Sequence, residues 1–465
     1  MVGILGVLLT FCAAIEGVPA HAADAQSSGA AIALDDGSVV VAASSSVGHK
    51  YSVGEKLLPV FVGLGYGGDT YKSGALGLSS ITADGQPNSH FGRNGVVVTP
   101  LRPANNHDAA VATALLRDPR GRLIVVGWRS QSIWPDAGIH LISAARYSPS
   151  GDLDTTFGDR GMVNLRMNRD AVTIPSAAVL DAQGRLLLAG YNGGRKVQSK
   201  LGSSDDWTNH LFVARLTADG QLDSSFGSRG FAIADVAPAP SAEIVNPKCT
   251  QEYRTCVWAH QEVLKGYERE FLLFRHFPAA LAVDARNRIV AGASASDGTY
   301  ILARFLPDGS TDPTFGGGGT TRTAMSTGSS IAQLLVDGAG HLLAVGLAGD
   351  RVALVRYTAD GTLDTSFGTG GIHDTPFAKG LTPSAALLTA DHRLFVAAIG
   401  EHTLAVGLFE PDGTPAKSFG QEGIMAAEVS PLRGPAGLLV NTAGQPTVAA
   451  ASANGVAVLR GKRTQ

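Results

Sequence analysis

The chain has 465 residues, 58 of them glycine, with 44% hydrophobic and 17% charged residues and a formal net charge of −3. Near-neutrality gives no ground for nucleic acid or an anionic membrane as partner. Abundant glycine with few charges suits many tight turns joining strands that are buried on both faces.

Taken in order, the chain opens on an export signature. Val2 to Ala14 is an apolar run too short to span a bilayer, and Ala20-His21-Ala22 puts small residues where a signal peptidase reads them. Residues 1–22 are therefore expected to be a signal peptide, and 23–465 a mature chain in the periplasm or outside the cell. No Lys or Arg precedes the apolar run, which departs from the usual pattern, and the bulky Phe11 before Cys12 makes a poor lipobox. No later segment is long and apolar enough to cross a membrane. The two cysteines left after cleavage, Cys249 and Cys256, are expected to form a disulfide in an oxidising compartment. Two cysteines are too few for a zinc site.

From residue 30 a four-part unit repeats. A first apolar strand, A, ends in a polar turn: AAIALDDG (30–37), ATALLRDPRG (112–121), AAVLDAQG (177–184), and so on to GLLVNTAG (437–444). A second, B, follows at once: SVVVAAS, RLIVVGW, RLLLAGY, RIVAGAS, HLLAVGL, RLFVAAI and QPTVAAAS. A third, C, ends in a recurring stretch, as in RYSPSGDLDTTFGDRG from Arg146 or RYTADGTLDTSFGTGG from Arg356, and a short strand D follows it. Strands A, B and C occur seven times and D six times, marked by Phe91, Phe157, Phe226, Phe315, Phe367 and Phe419. Strands B and C are continuous apolar runs, as expected of sheets covered on both faces. Four-stranded units repeated radially make a β-propeller. The expected fold is all-β: a single propeller of seven blades, each of four short antiparallel strands, the last incomplete. A β-helix is the alternative, but its coils are shorter and lack a four-strand grammar. After VAVLR (456–460) the sequence runs GKRTQ, so the seventh blade is expected to keep three strands or to close weakly, with only Ala23 to Ser28 available from the other end.

The recurring stretch spans the C-to-D hairpin. Its Asp-Gly is a turn signal, its Phe a plug between blades, and the glycine after Phe allows a tight bend. Blades 2 to 5 carry Arg in strand C and Asp eight residues on: Arg146/Asp154, Arg215/Asp223, Arg304/Asp312 and Arg356/Asp364. Blades 1 and 6 lack both together, with Ser80/Asn88 and Leu408/Ala416. Joint presence and joint absence imply that the two side chains meet as an Arg–carboxylate pair bracing the hairpin. One Asp per blade, spread round a ring, cannot assemble a metal's coordination shell, and neither metal nor cofactor is expected.

The pattern R-[FYL]-x-x-[DS]-G-x-x-D-x-[ST]-F-G-x-x-G, preceded by D-x-x-G-[KR], resembles the delta-60 repeat family of bacterial exported proteins. The resemblance covers nearly the whole mature chain and implies a propeller-like all-β array. It brings no catalytic residue or ligand with it.

In such blades the A–B and C–D turns share one face and the B–C and D–A connections the other. The long insertions, 46–75, 129–140, 191–210 and 237–277, all fall in B–C or D–A connections of blades 1 to 4. Function tends to sit on loops of this kind above a rigid scaffold. The aromatic residues in or at the edge of these connections, Trp128, Trp134, Trp207, Trp258, Tyr66 and Tyr71, are the candidate binding residues. The other reading is that these aromatics, with Tyr191 among them, only pack the insertions onto the ring. His140 and His210 lie there too, as do His49, His107, His260 and His276, in no metal or triad spacing, and no HExxH, GxSxG or P-loop occurs. The expected function is an exported binding scaffold gripping a glycan, a peptide or an envelope protein. The alternatives are a propeller hydrolase or lyase, and a purely structural envelope protein.

Overall fold

The computed structural model describes residues 26–29, 31–34, 37–44, 75–100, 110–133, 136–167, 171–194, 208–235, 280–295, 297–441, 443–452 and 455–461. They form seven four-stranded antiparallel sheets, the blades of a seven-bladed β-propeller, and no helix.

Blade 4 shows how the sequence builds a blade. Strands A (Ala280–Val283), B (Ile289–Ser294), C (Tyr300–Phe305) and D (Thr320–Thr323) pair in chain order. B and C are buried along their whole length, while D is mostly half-exposed. The side chains follow this gradient, from IVAGAS and YILARF to TTRT, because the inner strands are sandwiched between neighbouring blades and the rim is not. The core accordingly lies between blades. Leu187, Leu211 and Phe226 of blade 3 pack with Leu281, Ile289 and Phe305 of blade 4, and the other seams repeat the pattern. The seam between blades 7 and 1 holds the smallest of these clusters: Ala31, Val39, Val41, Ile81, Leu439 and Ala449.

The ring closes with the short stretch the sequence offered from its other end, but at an unexpected edge. Blade 7 has three strands of its own: A (Leu432–Val440), B (Pro446–Ser452) and C (Gly455–Arg460). Its fourth is Gln26–Gly29, antiparallel to strand A, with Gln26 opposite Val440 and Gly29 opposite Gly437. This strand adds at the inner edge, not the rim. One residue later the chain enters Ala31–Ala33, strand A of blade 1. Gly437 permits the crossing, since a Cβ there would lie 2.2 Å from the Ala31 nitrogen.

The expected loop insertion 129–140 is corrected. Strands B and C of blade 2 run Leu123–Ile133 and Asp136–Tyr147 and stay paired out to Ile133 opposite Asp136. In blade 3, B (Leu186–Gly194) and C (Thr208–Leu216) pair out to Gly194 opposite Thr208, so the ends of 191–210 are strand as well. An apolar run marks a strand inside the ring. It does not detect a hairpin that continues beyond it in mixed polar sequence such as RSQSI (129–133). Residues 46–74 and 237–277 lie outside the described residues.

Candidate functional site

On the face formed by the A–B and C–D turns, one arginine organises each hairpin. Nε of Arg146, Arg215, Arg304 and Arg356 lies 2.8, 2.8, 2.8 and 2.7 Å from Oδ2 of Asp154, Asp223, Asp312 and Asp364. Nη2 donates to the hydroxyl of Thr156, Ser225, Thr314 or Ser366, at 3.2 to 3.4 Å. Nη1 donates to a carbonyl in the next blade's C–D turn: Ala218, Pro307, Ala359 and Pro411 in turn. The guanidinium carbon sits 4.4 to 4.6 Å from the ring centre of Phe157, Phe226, Phe315 or Phe367, a cation–π geometry. The second carboxylate oxygen accepts both the N–H and the O–H of the Ser or Thr two residues on. Burial pushes the Asp154 carboxyl up, but Thr156 and Arg146 outweigh it and hold the group down at about 2.

The blades without this pair fill the position by other chemistry. In blade 1, Asn88 Nδ2 donates to the Ser80 and Ser38 hydroxyls, each at 3.2 Å. In blade 6, Leu408 and Ala416 are buried in one apolar cluster. Blade 7 contributes Arg460, at the same register as Arg356, whose Nη1 donates to the Ala83 carbonyl of blade 1 at 2.6 Å. VAVLR beside VALVR carries that equivalence in the sequence, though the missing Asp hid it.

The Asp-Gly glycines prove doubly constrained. Gly361 has φ +89°, and a Cβ there would lie 2.6 Å from the Phe315 ring of the preceding blade. Gly309 stands in the same relation to Phe226. Phe and the next blade's glycine therefore form one seam contact, which single-repeat reasoning misses. Tyr147 and Tyr357 add another tie, donating to Thr99 and Thr323 of the preceding blades at 2.7 and 2.9 Å.

In the A–B turns, Asp118, Asp181 and Asp284 each accept two backbone N–H groups on Oδ1 and pair Oδ2 with Arg122, Arg185 and Arg288, at 2.6 to 2.7 Å. Arg122 and Arg288 also reach Asp154 and Asp312, at 3.2 and 3.7 Å. Blade 5 has the shorter His341 there, its Nδ1 2.8 Å from Asp337. A cleft of about 250 Å³ remains between blades 5 and 6. Leu343, Leu354, Phe367, Leu388, Leu394 and Phe409 line it, with His341, His392 and Glu410 toward solvent. Arg356 and Asp337, which also border it, are already engaged by the contacts given above.

On the opposite face the aromatics that are described pack. Trp128 is 5% exposed, inside strand B of blade 2 with its Cα opposite Val111 and Ile142, so its place as an exposed binding residue is corrected. The Tyr191 hydroxyl bridges to blade 4, donating to the Ser294 carbonyl and accepting its N–H, each at 3.3 Å. Burial pushes the Tyr191 phenol up. Beside it, Asn192 Nδ2 donates to the Thr173 hydroxyl at 2.8 Å, and His210 is half-buried in strand C of blade 3. Trp134, Trp207, Trp258, Tyr66, Tyr71, Cys249 and Cys256 lie outside the described residues, as do His49, His107, His260 and His276; His140 falls in a described strand, but its side chain is not described. Among the described residues, no group of three or more His, Cys, Asp or Glu is placed to hold a metal ion, and no helix is long and apolar enough to cross a membrane.

Three stretches, 201–226, 287–315 and 340–367, match the family DUF5122, a domain of unknown function described as a beta-propeller. Each match ends on the seam phenylalanine, Phe226, Phe315 or Phe367, so the resemblance to a β-propeller repeat rests on blades 3, 4 and 5. No curated protein matches the chain. Among solved structures, it is similar to a protein from Lactobacillus plantarum at 13% identity and TM-score 0.39, over 84% of this chain and 92% of that one. A puromycin hydrolase also shows 13% identity and TM-score 0.39, over 97% of this chain and 56% of that one. YCF48 from Cyanidioschyzon merolae shows 9% identity and TM-score 0.36, over 83% and 91%. None of these similarities bears on what this chain does.

Proposed function

We propose that the protein is an exported binding scaffold whose contact surface lies on the face of the B–C and D–A connections over blades 1 to 4. One observation carries this reading. Strands B and C are 11 and 12 residues long in blade 2 and 9 each in blade 3, against 6 or 7 in blades 4 to 6. Their ladders start at equivalent pairs by the tight turns, Leu123 opposite Tyr147 and Leu342 opposite Tyr357. All the extra length therefore projects from the other face, by roughly 15 Å in blade 2 at about 3.3 Å per residue. Two adjacent arms on a stapled ring make a ridge suited to gripping an extended ligand, with Trp134 and Trp207 in the stretches that join their strands. The ligand class is a glycan or a peptide. A thermal-shift screen of residues 23–465 against both tests this: a stabilising ligand whose shift is lost in Trp134→Ala or Trp207→Ala supports it. Ligands that bind both variants as tightly as the parent would place the site elsewhere.

A further inference from the structure

We propose that the cleft between blades 5 and 6 binds a small neutral ring bearing a hydroxyl, a phenol, between the imidazoles of His341 and His392. The site lies on the tight-turn face and is independent of the arms on the opposite face. Two departures from the repeat, one on each blade, border this same cleft.

The first is His341. Blades 2, 3 and 4 place Arg122, Arg185 and Arg288 at this position, each paired with the Asp that opens its turn. Arg122 and Arg288 then reach on to Asp154 and Asp312, at 3.2 and 3.7 Å. His341 stops at Asp337, 2.8 Å away, and an imidazole is too short to span to Asp364 in the same way. The second is His392. Its N–H donates to the carbonyl three residues back, and its φ is +62°. Gly37, Gly121, Gly184, Gly340 and Gly444 hold the same place in their turns, and blade 4 has Asn287. Glycine takes this left-handed conformation without cost, whereas a residue with a Cβ does not. A Cβ on Gly338 would lie 3.4 Å from Cε1 of His392, so that ring crosses the seam and lies against the turn of blade 5.

The walls select the ligand. The cleft measures about 250 Å³, and an apolar cavity of about 150 Å³ already takes benzene, so a substituted ring has room. Leu343, Leu354, Leu388 and Leu394 give it an apolar floor that offers no hydrogen bond. The polar groups are at the rim. The Asp337 carboxylate can only accept, so the His341 proton sits on Nδ1 and Nε2 of the neutral ring is left as an acceptor. Asp337 and Glu410 add negative charge, while the Arg356 guanidinium is matched by Asp364. Such a rim favours a donor and disfavours an anion, which selects a phenol over a benzoate.

Restoring the repeat at either position provides the test. His341→Arg fills the cleft, and His392→Gly removes the ring that crosses the seam. Neither should lower the melting temperature of the free chain, because each returns the residue that other blades use. Titrating p-cresol into residues 23–465 is expected to shift the Cε1–H NMR signals of both histidines, with a Kd of about 1 mM or tighter. Each variant should bind p-cresol at least about tenfold more weakly, and the parent should bind toluene and benzoate at least about tenfold more weakly than p-cresol. No saturable shift up to about 10 mM p-cresol would overturn the proposal, and so would parental affinity in both variants. Toluene or benzoate binding as tightly as p-cresol would overturn the assigned ligand class.

Discussion

Deleting the guanidinium of Arg304 breaks the most buried of the four Arg–Asp pairs. Arg304 is 2% exposed and Asp312 is 3% exposed. Arg304→Ala removes the 2.8 Å bond to Asp312, the bond to the Ala359 carbonyl, the 3.2 Å bond to Thr314 and the cation–π contact with Phe315. It leaves the Asp312 carboxylate buried, with Thr314 and a more distant Arg288 at 3.7 Å as partners. Breaking a buried pair from one side costs about 3–5 kcal/mol, and the residual Arg288 contact points to the lower end, about 3 kcal/mol. Arg356→Ala removes the same contacts at a site 17% exposed and is expected to cost less, about 1–2 kcal/mol. Blade 6 supplies the control, since Leu408 with Ala416 fills the same position without charge. The double change Arg304→Leu/Asp312→Ala should therefore recover most of the loss seen in Arg304→Leu alone, because an apolar replacement of a buried pair is often neutral. Urea denaturation of the parent, both single variants and the double variant measures this. A double variant that loses as much as the two single variants summed would show that the pair is not coupled, and the reasoning fails.

Four further outcomes are expected. His341→Arg should fill the cleft between blades 5 and 6 by pairing with Asp337, as Arg122 and Arg288 pair in blades 2 and 4, and raise stability by about 0.5–1 kcal/mol; a crystal structure with that side chain turned to solvent would count against it. Gly361→Ala should be much worse than Gly184→Ala: both have positive φ, but a Cβ meets the Phe315 ring at 2.6 Å in the first and nothing within 4 Å in the second. The second should show backbone strain alone, about 1 kcal/mol, and equal melting temperatures for the two variants would contradict the seam contact. On acidification, Asp154 at about 2, with Asp223 and Asp312 also held below 3.8, contributes stability that is present above pH 3.8 and lost as pH falls toward 2; a melting temperature flat between pH 6 and pH 2 would refute that linkage. Finally, N-terminal sequencing of the protein recovered from the export compartment should begin at Ala23, and an intact Met1 there would remove the signal peptide from the account.

What the sequence revealed depended on whether a signal lay within one repeat or between two. Blade number, strand order and the positions of the six D strands follow from apolar runs and turn residues inside each copy. The Arg and Asp positions were legible because they change together, and blades 1 and 6 show why: Asn88 meets Ser80, and Leu408 shares a cluster with Ala416. Of the contacts that cross a seam, a single copy showed only that the Phe plugs between blades, not its partners. Neither the Nη1 bond to the next turn nor the seating of Phe315 against Gly361 is written in either residue's own neighbourhood. Ring closure was obscured for a related reason: Gln26–Gly29 reads QSSG, a polar stub without strand character, and takes its structure from strand A of blade 7. The candidate site was legible only as a location. Trp128, the last residue of the apolar run RLIVVGW, stood at the edge of the expected loop, but strand B of blade 2 continues five residues past it to Ile133, and there it is buried.

The two faces of the ring answer to different constraints, and the hairpin geometry shows how fully they are separated. Blades 2 and 3 bear long arms on one face, whereas blades 4 and 5 bear none of that length. Yet the Arg–Asp distance on the other face is 2.8, 2.8, 2.8 and 2.7 Å through the same four blades. The ties that set the blade-to-blade angle lie at the tight-turn ends of strands C and D, some residues removed from where the arms begin. Elaboration at one end therefore carries no strain to the other, and the arms can differ in length and sequence without changing the ring that carries them. A charge-coupled face of turns is what frees its opposite to specialise.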